Sequence, residues 1–147
     1  MRIPILFALL MAAVWPTPST QERALSGVWL LSADAASGQN EDGSNWSKAA
    51  FKGTLDLDQN GTDLKGTWKG PMASWPLDGK AEGDTFEVRS EARPMSATTD
   101  GQPTTVMARW TFRGRVTGDQ IRGTLTLSGV NDDDSARLQP FTAERRR

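Results

Sequence analysis

Apolar and polar residues alternate along most of this chain, and that period of two is the feature that most constrains its fold. In the first clear run, Phe51, Gly53, Leu55 and Leu57 alternate with charged or polar residues. Successive side chains of a strand point to opposite faces, so the run predicts a strand with one buried face. The same pattern recurs in residues 64–69, 77–81, 86–92, 106–116 and 121–127.

Short turn signals separate the predicted strands. Asn60-Gly61 predicts a type I′ hairpin turn, since both central residues of that turn need a positive φ. Gly83-Asp84 and Gly118-Asp119 mark two further turns. The stretch 93–105, which contains two prolines and Asp100-Gly101, is predicted to be a loop.

The chain also repeats itself on the scale of a hairpin. Residues 79–86 match residues 114–121 as G-[KR]-[AV]-x-G-D-x-[FI], and residues 61–68 match residues 118–125 as G-x-x-[LI]-[KR]-G-T-[WL]. Each copy is a hairpin tip, so the repeating unit is one pair of strands and the architecture is a meander.

Glycines on the apolar face indicate that the meander closes on itself. Strands with one apolar face can bury it by forming a barrel, which also removes the exposed sheet edges. A glycine on the inside lets a strand bend sharply, whereas an open sheet gains little from one. With residues 27–32 and 138–143 as first and last strands, the predicted fold is all-β, an eight-stranded antiparallel up-and-down barrel. The inward glycines are Gly53, Gly66, Gly79, Gly114 and Gly123.

The N-terminus predicts export. A short basic start is followed by an apolar run at residues 3–14, which is too short to span a bilayer as a helix, and then by small residues and prolines. We interpret residues 1–19 as a signal peptide and residues 20–147 as a single barrel domain. The chain has no Cys, which fits a secreted or periplasmic bacterial protein.

Composition excludes most kinds of active site. The chain contains no Cys, no His and no Tyr, which rules out disulfides, thiolate or imidazole metal sites and a Ser-His triad. Its formal net charge of −1 gives no general attraction to nucleic acid. Asp56-x-Asp58-x-Asn60-Gly61 begins like a calcium loop, but Thr67 stands where a bidentate Glu is required. We therefore predict no enzyme activity, no cofactor, no metal and no membrane span.

Both ends of the barrel region resemble a known family. Gly27-Val28-Trp29 opens the first strand, and Arg145-Arg146-Arg147 closes the last. This resembles the calycin barrels (lipocalins and their relatives), in which G-x-W lies at the barrel floor and a late Arg packs on the Trp. Residues 25–145 are similar to small lipocalin-like domains of exported bacterial proteins, which mostly have no assigned activity. The resemblance implies that Gly27, Trp29 and Arg145 form the floor, with either Arg145 or Arg146 over the face of the Trp29 ring.

Aromatic residues supply the candidate binding sites. Two tryptophans, Trp46 and Trp75, are predicted in loops between polar residues, where they either contact a ligand or partner at the barrel mouth or fold onto the rim. Four further rings share the predicted interior face, where they either line a pocket for an apolar ligand or form the core. These four are Trp68, Phe86, Trp110 and Phe112.

Arginines on the predicted outward face form a basic stripe along two neighbouring strands. The stripe either meets an anionic surface or belongs to a mixed-charge exterior, and the second interpretation is favoured by the charged residues of a nearby strand. The stripe is Arg109, Arg113, Arg115 and Arg122, and the nearby residues are Glu87, Arg89 and Glu91.

Two functions fit these features. The first is an exported non-catalytic barrel that binds a small apolar or amphipathic ligand inside. The second is a protein-binding module, such as a secreted protease inhibitor, that uses the segment Thr20–Leu25 and the rim loops around Trp46 and Trp75. An open interior favours the first function and a packed interior favours the second.

Overall fold

The computed structural model describes residues 24–130 and 137–147, and within them it contains eleven strands and no helix. The predicted signal peptide, residues 1–19, lies outside the described residues. The strands are β1 (Gly27–Ala33), β2 (Ala36–Gln39), β3 (Asn45–Lys48), β4 (Phe51–Asn60), β5 (Asp63–Lys69), β6 (Ser74–Glu82), β7 (Thr85–Ser90), β8 (Arg93–Thr99), β9 (Gln102–Thr117), β10 (Gln120–Gly129) and β11 (Gln139–Arg145).

Eight of these strands form a closed antiparallel barrel. The order around the barrel is β1, β4, β5, β6, β7, β9, β10 and β11, so each strand pairs with the next barrel strand along the chain. Closure occurs at β1, where Leu31 pairs with Gly53 of β4 on one side and with Ala143 of β11 on the other. The predicted eight-stranded meander barrel is therefore confirmed.

Three additional strands lie at one end of the barrel. Strands β2 and β3 form a separate hairpin between β1 and β4, and β8 pairs with the first half of β9. The loop predicted at residues 93–105 is therefore wrong. Asp100 and Gly101 form a tight turn in which both φ angles are positive, at 53° and 75°. The strands escaped prediction because their residues are mostly polar on both faces, which leaves no alternation to read.

Three two-residue turns lie at the opposite end, which we call the turn end; the end that carries β2, β3 and β8 is the loop end. In each turn only the first residue, a glycine, has a positive φ, as a type II′ turn requires. The type I′ turn predicted at Asn60-Gly61 is wrong, because Asn60 pairs with Asp63 and the turn lies one residue later. The turns are Gly61-Thr62, Gly83-Asp84 and Gly118-Asp119.

The sequence repeats correspond to equivalent positions in these hairpins. In each turn, the backbone carbonyl of the second residue accepts a hydrogen bond from a backbone N–H on the barrel strand beyond the hairpin. These bonds join the hairpins into one layer at the turn end. They run from Ala81 to Thr62 (2.9 Å), from Val116 to Asp84 (2.8 Å) and from Arg145 to Asp119 (2.9 Å).

Inward glycines allow neighbouring strands to approach closely. A Cβ on Gly66 would lie 2.0 Å from the carbonyl oxygen of Asp56, and one on Gly123, its counterpart in the repeat, would lie 2.0 Å from that of Arg113. These contacts are with backbone atoms, so a side chain at either position would push two strands apart. The glycines thus support the curvature that closes the barrel.

We predict that Gly123→Ala destabilises the barrel by about 2–3 kcal/mol, because the added methyl group overpacks the β9–β10 pair. Urea unfolding followed by Trp fluorescence measures the change. Gly118→Asn on the same hairpin is the control. The φ of Gly118 is +59°, a conformation that Asn tolerates, and a Cβ added there would meet no atom of the described residues within 4 Å. Equal stability losses in the two variants would contradict the close-approach argument.

Candidate functional site

Five aromatic rings fill the barrel interior near the loop end, and we call them the loop-end aromatic cluster. Trp68 contacts three of the others, with ring centroids 6.1 Å from Phe51, 5.7 Å from Trp110 and 5.2 Å from Phe112. Phe112 also meets Phe141 at 6.0 Å. Most of these pairs are tilted or edge-to-face, which is the favoured arrangement of aromatic pairs.

Two glycines create the space that Trp68 occupies. A Cβ on Gly53 would lie 2.2 Å from the Cη2 atom of the indole ring, and one on Gly70 would lie 2.9 Å from its Nε1 atom. The ring therefore spans from β4 to the residue that follows β5, and its N–H edge lies beside the loop between β5 and β6. Any side chain at these two positions would displace the indole ring.

The indole N–H groups of Trp68 and Trp110 are buried and have no hydrogen-bond partner among the described residues. Trp29 shows the usual arrangement, because its Nε1 donates to the carbonyl oxygen of Leu25 at 2.8 Å. Buried polar groups are nearly always paired, and an unpaired one costs about 1–3 kcal/mol. Two unpaired donors in one ring cluster therefore mark the loop end as a place that fits a hydrogen-bond acceptor.

The structure brings together three of the four rings singled out from the interior pattern. Trp68, Trp110 and Phe112 lie in the loop-end aromatic cluster, whereas Phe86 lies towards the turn end, beside Ala81 and Gly114. Phe51 and Phe141 also belong to this cluster, although the sequence pattern did not predict them as site residues. Phe51 is in phase with the alternation of its strand, which was the signal that places it inside.

The loop prediction for Trp75 and Trp46 is wrong. Trp75 lies in β6 opposite Trp68, is only 7% exposed and carries the guanidinium carbon of Arg93 4.3 Å from its ring centroid. Trp46 lies in β3, where its half-buried indole crosses Gly38 of β2. Trp75 thus belongs to the core, and only Trp46 is placed to contact a partner at the loop end.

The predicted floor residues meet at the turn end. The guanidinium carbon of Arg145 lies 4.3 Å from the ring centroid of Trp29. The same side chain donates hydrogen bonds to the carbonyl oxygens of Ala24 (2.6 Å) and Ser26, and to the Asp119 carboxylate (3.0 Å). Gly27 has a φ of +128°, and a Cβ there would lie 3.0 Å from the Arg145 guanidinium. Arg145 therefore ties the N-terminal segment to the last hairpin.

Charges on the outer wall partly interleave. Glu87 lies between two arginines, with 2.6 Å to Arg113 and 3.0 Å to Arg89. The hydrogen bond from Arg113 holds the pKa of Glu87 below its ordinary value of 4.5, against a smaller upward effect of burial. Arg115 pairs more loosely with Asp84, at 3.6 Å. Glu91 pairs with Arg93 at 2.9 Å.

Neither a metal centre nor a spanning helix is found in the part of the chain that the structure describes. No three acidic side chains there lie close enough together to hold a metal ion. No helix in residues 24–130 or 137–147 has the length and apolar character to cross a membrane. In comparisons with known proteins, the chain matches no family model, no curated protein and no solved structure.

We predict that Arg145→Met lowers the free energy of unfolding by about 2–4 kcal/mol, because the carbonyl oxygens of Ala24 and Ser26 lose a charged donor. Arg147→Met is the control, since its guanidinium is exposed and lies 3.8 Å from Asp119. The control should change stability by less than about 0.5 kcal/mol. Urea unfolding measures both, and a tolerated Arg145→Met would contradict the proposed role of this side chain in the floor.

We predict that Glu87→Gln reduces stability at neutral pH by less than about 1 kcal/mol, as expected for a solvent-screened ion pair. Because the folded-state pKa of Glu87 is depressed, its carboxylate contributes fully to stability above pH 4.5. This contribution is lost as the pH falls through the folded-state pKa. The difference between wild type and variant should therefore shrink in acid. Urea unfolding at several pH values tests this, and a difference that persists unchanged in acid would contradict it.

Proposed function

We propose that this protein is an exported, non-catalytic barrel that binds a small amphipathic molecule at the loop end. The single observation that supports this most is the pair of buried indole N–H groups, on Trp68 and Trp110, for which residues 24–130 and 137–147 supply no acceptor. The surrounding rings offer apolar contact, and each of the two donors would pair with an oxygen atom of the ligand. The ligand would therefore combine an apolar body with a carbonyl, hydroxyl or carboxylate group.

Access to this site depends on the rings that are least buried. Phe51, Trp110 and Met95 are only partly buried and pack against the core, whereas Trp68 and Phe112 are fully buried. Since the rings are in contact, the ligand enters by turning aside Phe51 or Trp110. Apolar contact would contribute about 25 cal/mol per Å² of surface removed from water.

Family and cellular location belong to the same proposal. The closed barrel and the contact of Arg145 with Trp29 support membership of the calycin barrels. We propose a bacterial protein that is exported through the signal peptide at residues 1–19 and is secreted or periplasmic. A non-catalytic role is supported by the absence of His and Cys from the sequence.

A second candidate is a protein-binding module. It is favoured by the contact of the aromatic rings with one another, because a packed interior leaves less room for a ligand inside the barrel. Leu25 lies buried at the turn end, opposite the hairpin that carries Trp46. One partner therefore could not contact both, and Trp75 is covered by Arg93. Residues 20–23 of the predicted binding segment lie outside the described residues. Within the described residues, the surface that remains for a partner is the β2–β3 hairpin with Trp46.

We expect decanoate and decanol to bind, and decyltrimethylammonium to bind more weakly, because only the first two carry an acceptor for the indole N–H groups. Trp fluorescence titration measures binding. Trp68→Phe and Trp110→Phe each retain an aromatic ring and remove one N–H donor. Each should therefore weaken decanoate binding about fivefold to tenfold. Trp46→Phe is the matched control and should leave binding unchanged.

Three outcomes would count against this function. The first is a protein that binds none of the three amphiphiles, and the second is equal affinity for all three. The third is inhibition of a purified trypsin-like or subtilisin-like protease that is lost in Trp46→Ala and retained in Trp110→Phe, which would support the protein-binding alternative. Urea unfolding of each variant shows whether it is folded.

A further inference from the structure

A pair of arginines faces each other on the outer wall of the barrel. Arg115 of β9 lies directly opposite Arg122 of β10 in the antiparallel register. The next pair on the same face, towards the turn, is Thr117 opposite Gln120. Side chains at such positions have Cβ atoms about 4.5–5.5 Å apart, and like charges there destabilise the sheet. An anion bound between the two guanidinium groups would relieve this repulsion.

The carboxylates of the described residues relieve this repulsion only in part. Asp84 lies 3.6 Å from Arg115. No acidic group within residues 24–130 and 137–147 lies within salt-bridge distance of Arg122. Glu144 lines a neighbouring hollow of about 220 Å³ with Arg122, but in the register it lies opposite Gln120, whereas Arg122 lies opposite Thr142. Arg113, the next outward arginine, is already engaged by Glu87 at 2.6 Å.

A surface hollow lies where the arginines meet. Its volume is about 310 Å³, and it is lined by Arg115, Thr117, Gln120 and Arg122. Two guanidinium forks, one hydroxyl and one side-chain amide all donate hydrogen bonds, and no acidic side chain lines the hollow. Guanidinium groups bind phosphate oxygens in a bidentate way, so this donor set fits a tetrahedral oxyanion.

We propose that this hollow is a binding site for a phosphate group, with Arg115 and Arg122 on its two sides and with Thr117 and Gln120 as neutral donors. The site lies on the exterior of the barrel near the turn end, so it is separate from the loop-end aromatic cluster. The phosphate group belongs either to a free anion or to an anionic lipid headgroup, since both present the same oxygens.

Titration with inorganic phosphate, followed in ¹H–¹⁵N spectra that include the Arg side chains, tests the site. We expect saturable shifts of the Arg115 and Arg122 Nε–H signals with a dissociation constant at or below about 1 mM. Arg122→Gln should weaken binding at least about tenfold, and Arg122→Lys should retain only part of the affinity, because Lys has no planar fork. Lys52→Gln, which removes an equal charge from an exposed position on β4, should have no effect.

Stability supplies a second readout. Phosphate should raise the melting temperature of the wild type and not that of Arg122→Gln, since a ligand stabilises only the protein that binds it. Without phosphate at low salt, Arg122→Gln should melt higher than the wild type, because one of two opposed charges is gone. Absence of saturable shifts, or equal weakening by Lys52→Gln, would overturn the proposal.

Vesicles distinguish the two sources of the phosphate group. Phosphatidylglycerol vesicles that bind the wild type but not Arg122→Gln would identify a lipid headgroup as an accessible ligand. Saturable phosphate binding with no vesicle binding would identify a free phosphate group. Vesicle binding that Lys52→Gln reduces as strongly as Arg122→Gln would show general charge attraction and would contradict the site.

Discussion

The limited space inside an eight-stranded barrel is the constraint on which the rest of this structure depends. A barrel of this size has room for one layer of inward side chains or for one small ligand. Each large ring must therefore be matched by a missing side chain elsewhere. The indole of Trp68 fits only because Gly53 and Gly70 lie at its two ends, and neighbouring strands approach closely only at inward glycines such as Gly66 and Gly123.

The two ends of the barrel differ in how completely their polar groups are paired. At the turn end, the carbonyls of Ala24 and Ser26 accept from Arg145, and the indole N–H of Trp29 has an acceptor in Leu25. At the loop end, two indole N–H groups find no acceptor in the part of the chain that the structure describes. An unpaired buried donor is a place where a ligand that supplies an acceptor can stabilise the protein. This contrast is why we propose ligand binding at the loop end.

Much of the fold could be predicted because alternation and turn chemistry are local signals. The inward phase of β4, from Phe51 to Leu57, and the glycine positions follow directly from the order of residues. The burial of Trp75 did not follow from the order of residues in this way, although Trp75 is in phase with Leu77 in its strand. Ser74 and Pro76 flank it like turn residues, and the Arg93 guanidinium that covers it comes from another strand. Contacts of that kind depend on register, which composition does not reveal.

The candidate site was predictable as a set of rings but not as a chemical environment. Alternation placed Trp68, Trp110 and Phe112 inside, and nothing local separated them from Phe86, which lies towards the other end. The lack of acceptors among the described residues depends on how several strands pack around two N–H groups. The opposition of Arg115 and Arg122 likewise depends on the turn at Gly118, which sets the register of β9 and β10.

The most direct test of the account is the state of the indole N–H groups in the ligand-free protein. Indole ¹H–¹⁵N signals, assigned by single Trp→Phe variants, report both hydrogen bonding and solvent exchange. We predict that the Trp68 and Trp110 protons exchange slowly with water and resonate upfield of the Trp29 proton, which is hydrogen-bonded to the carbonyl oxygen of Leu25. Rapid exchange, or a magnetisation transfer from bound water to either proton, would show that these donors are already satisfied and would contradict the account.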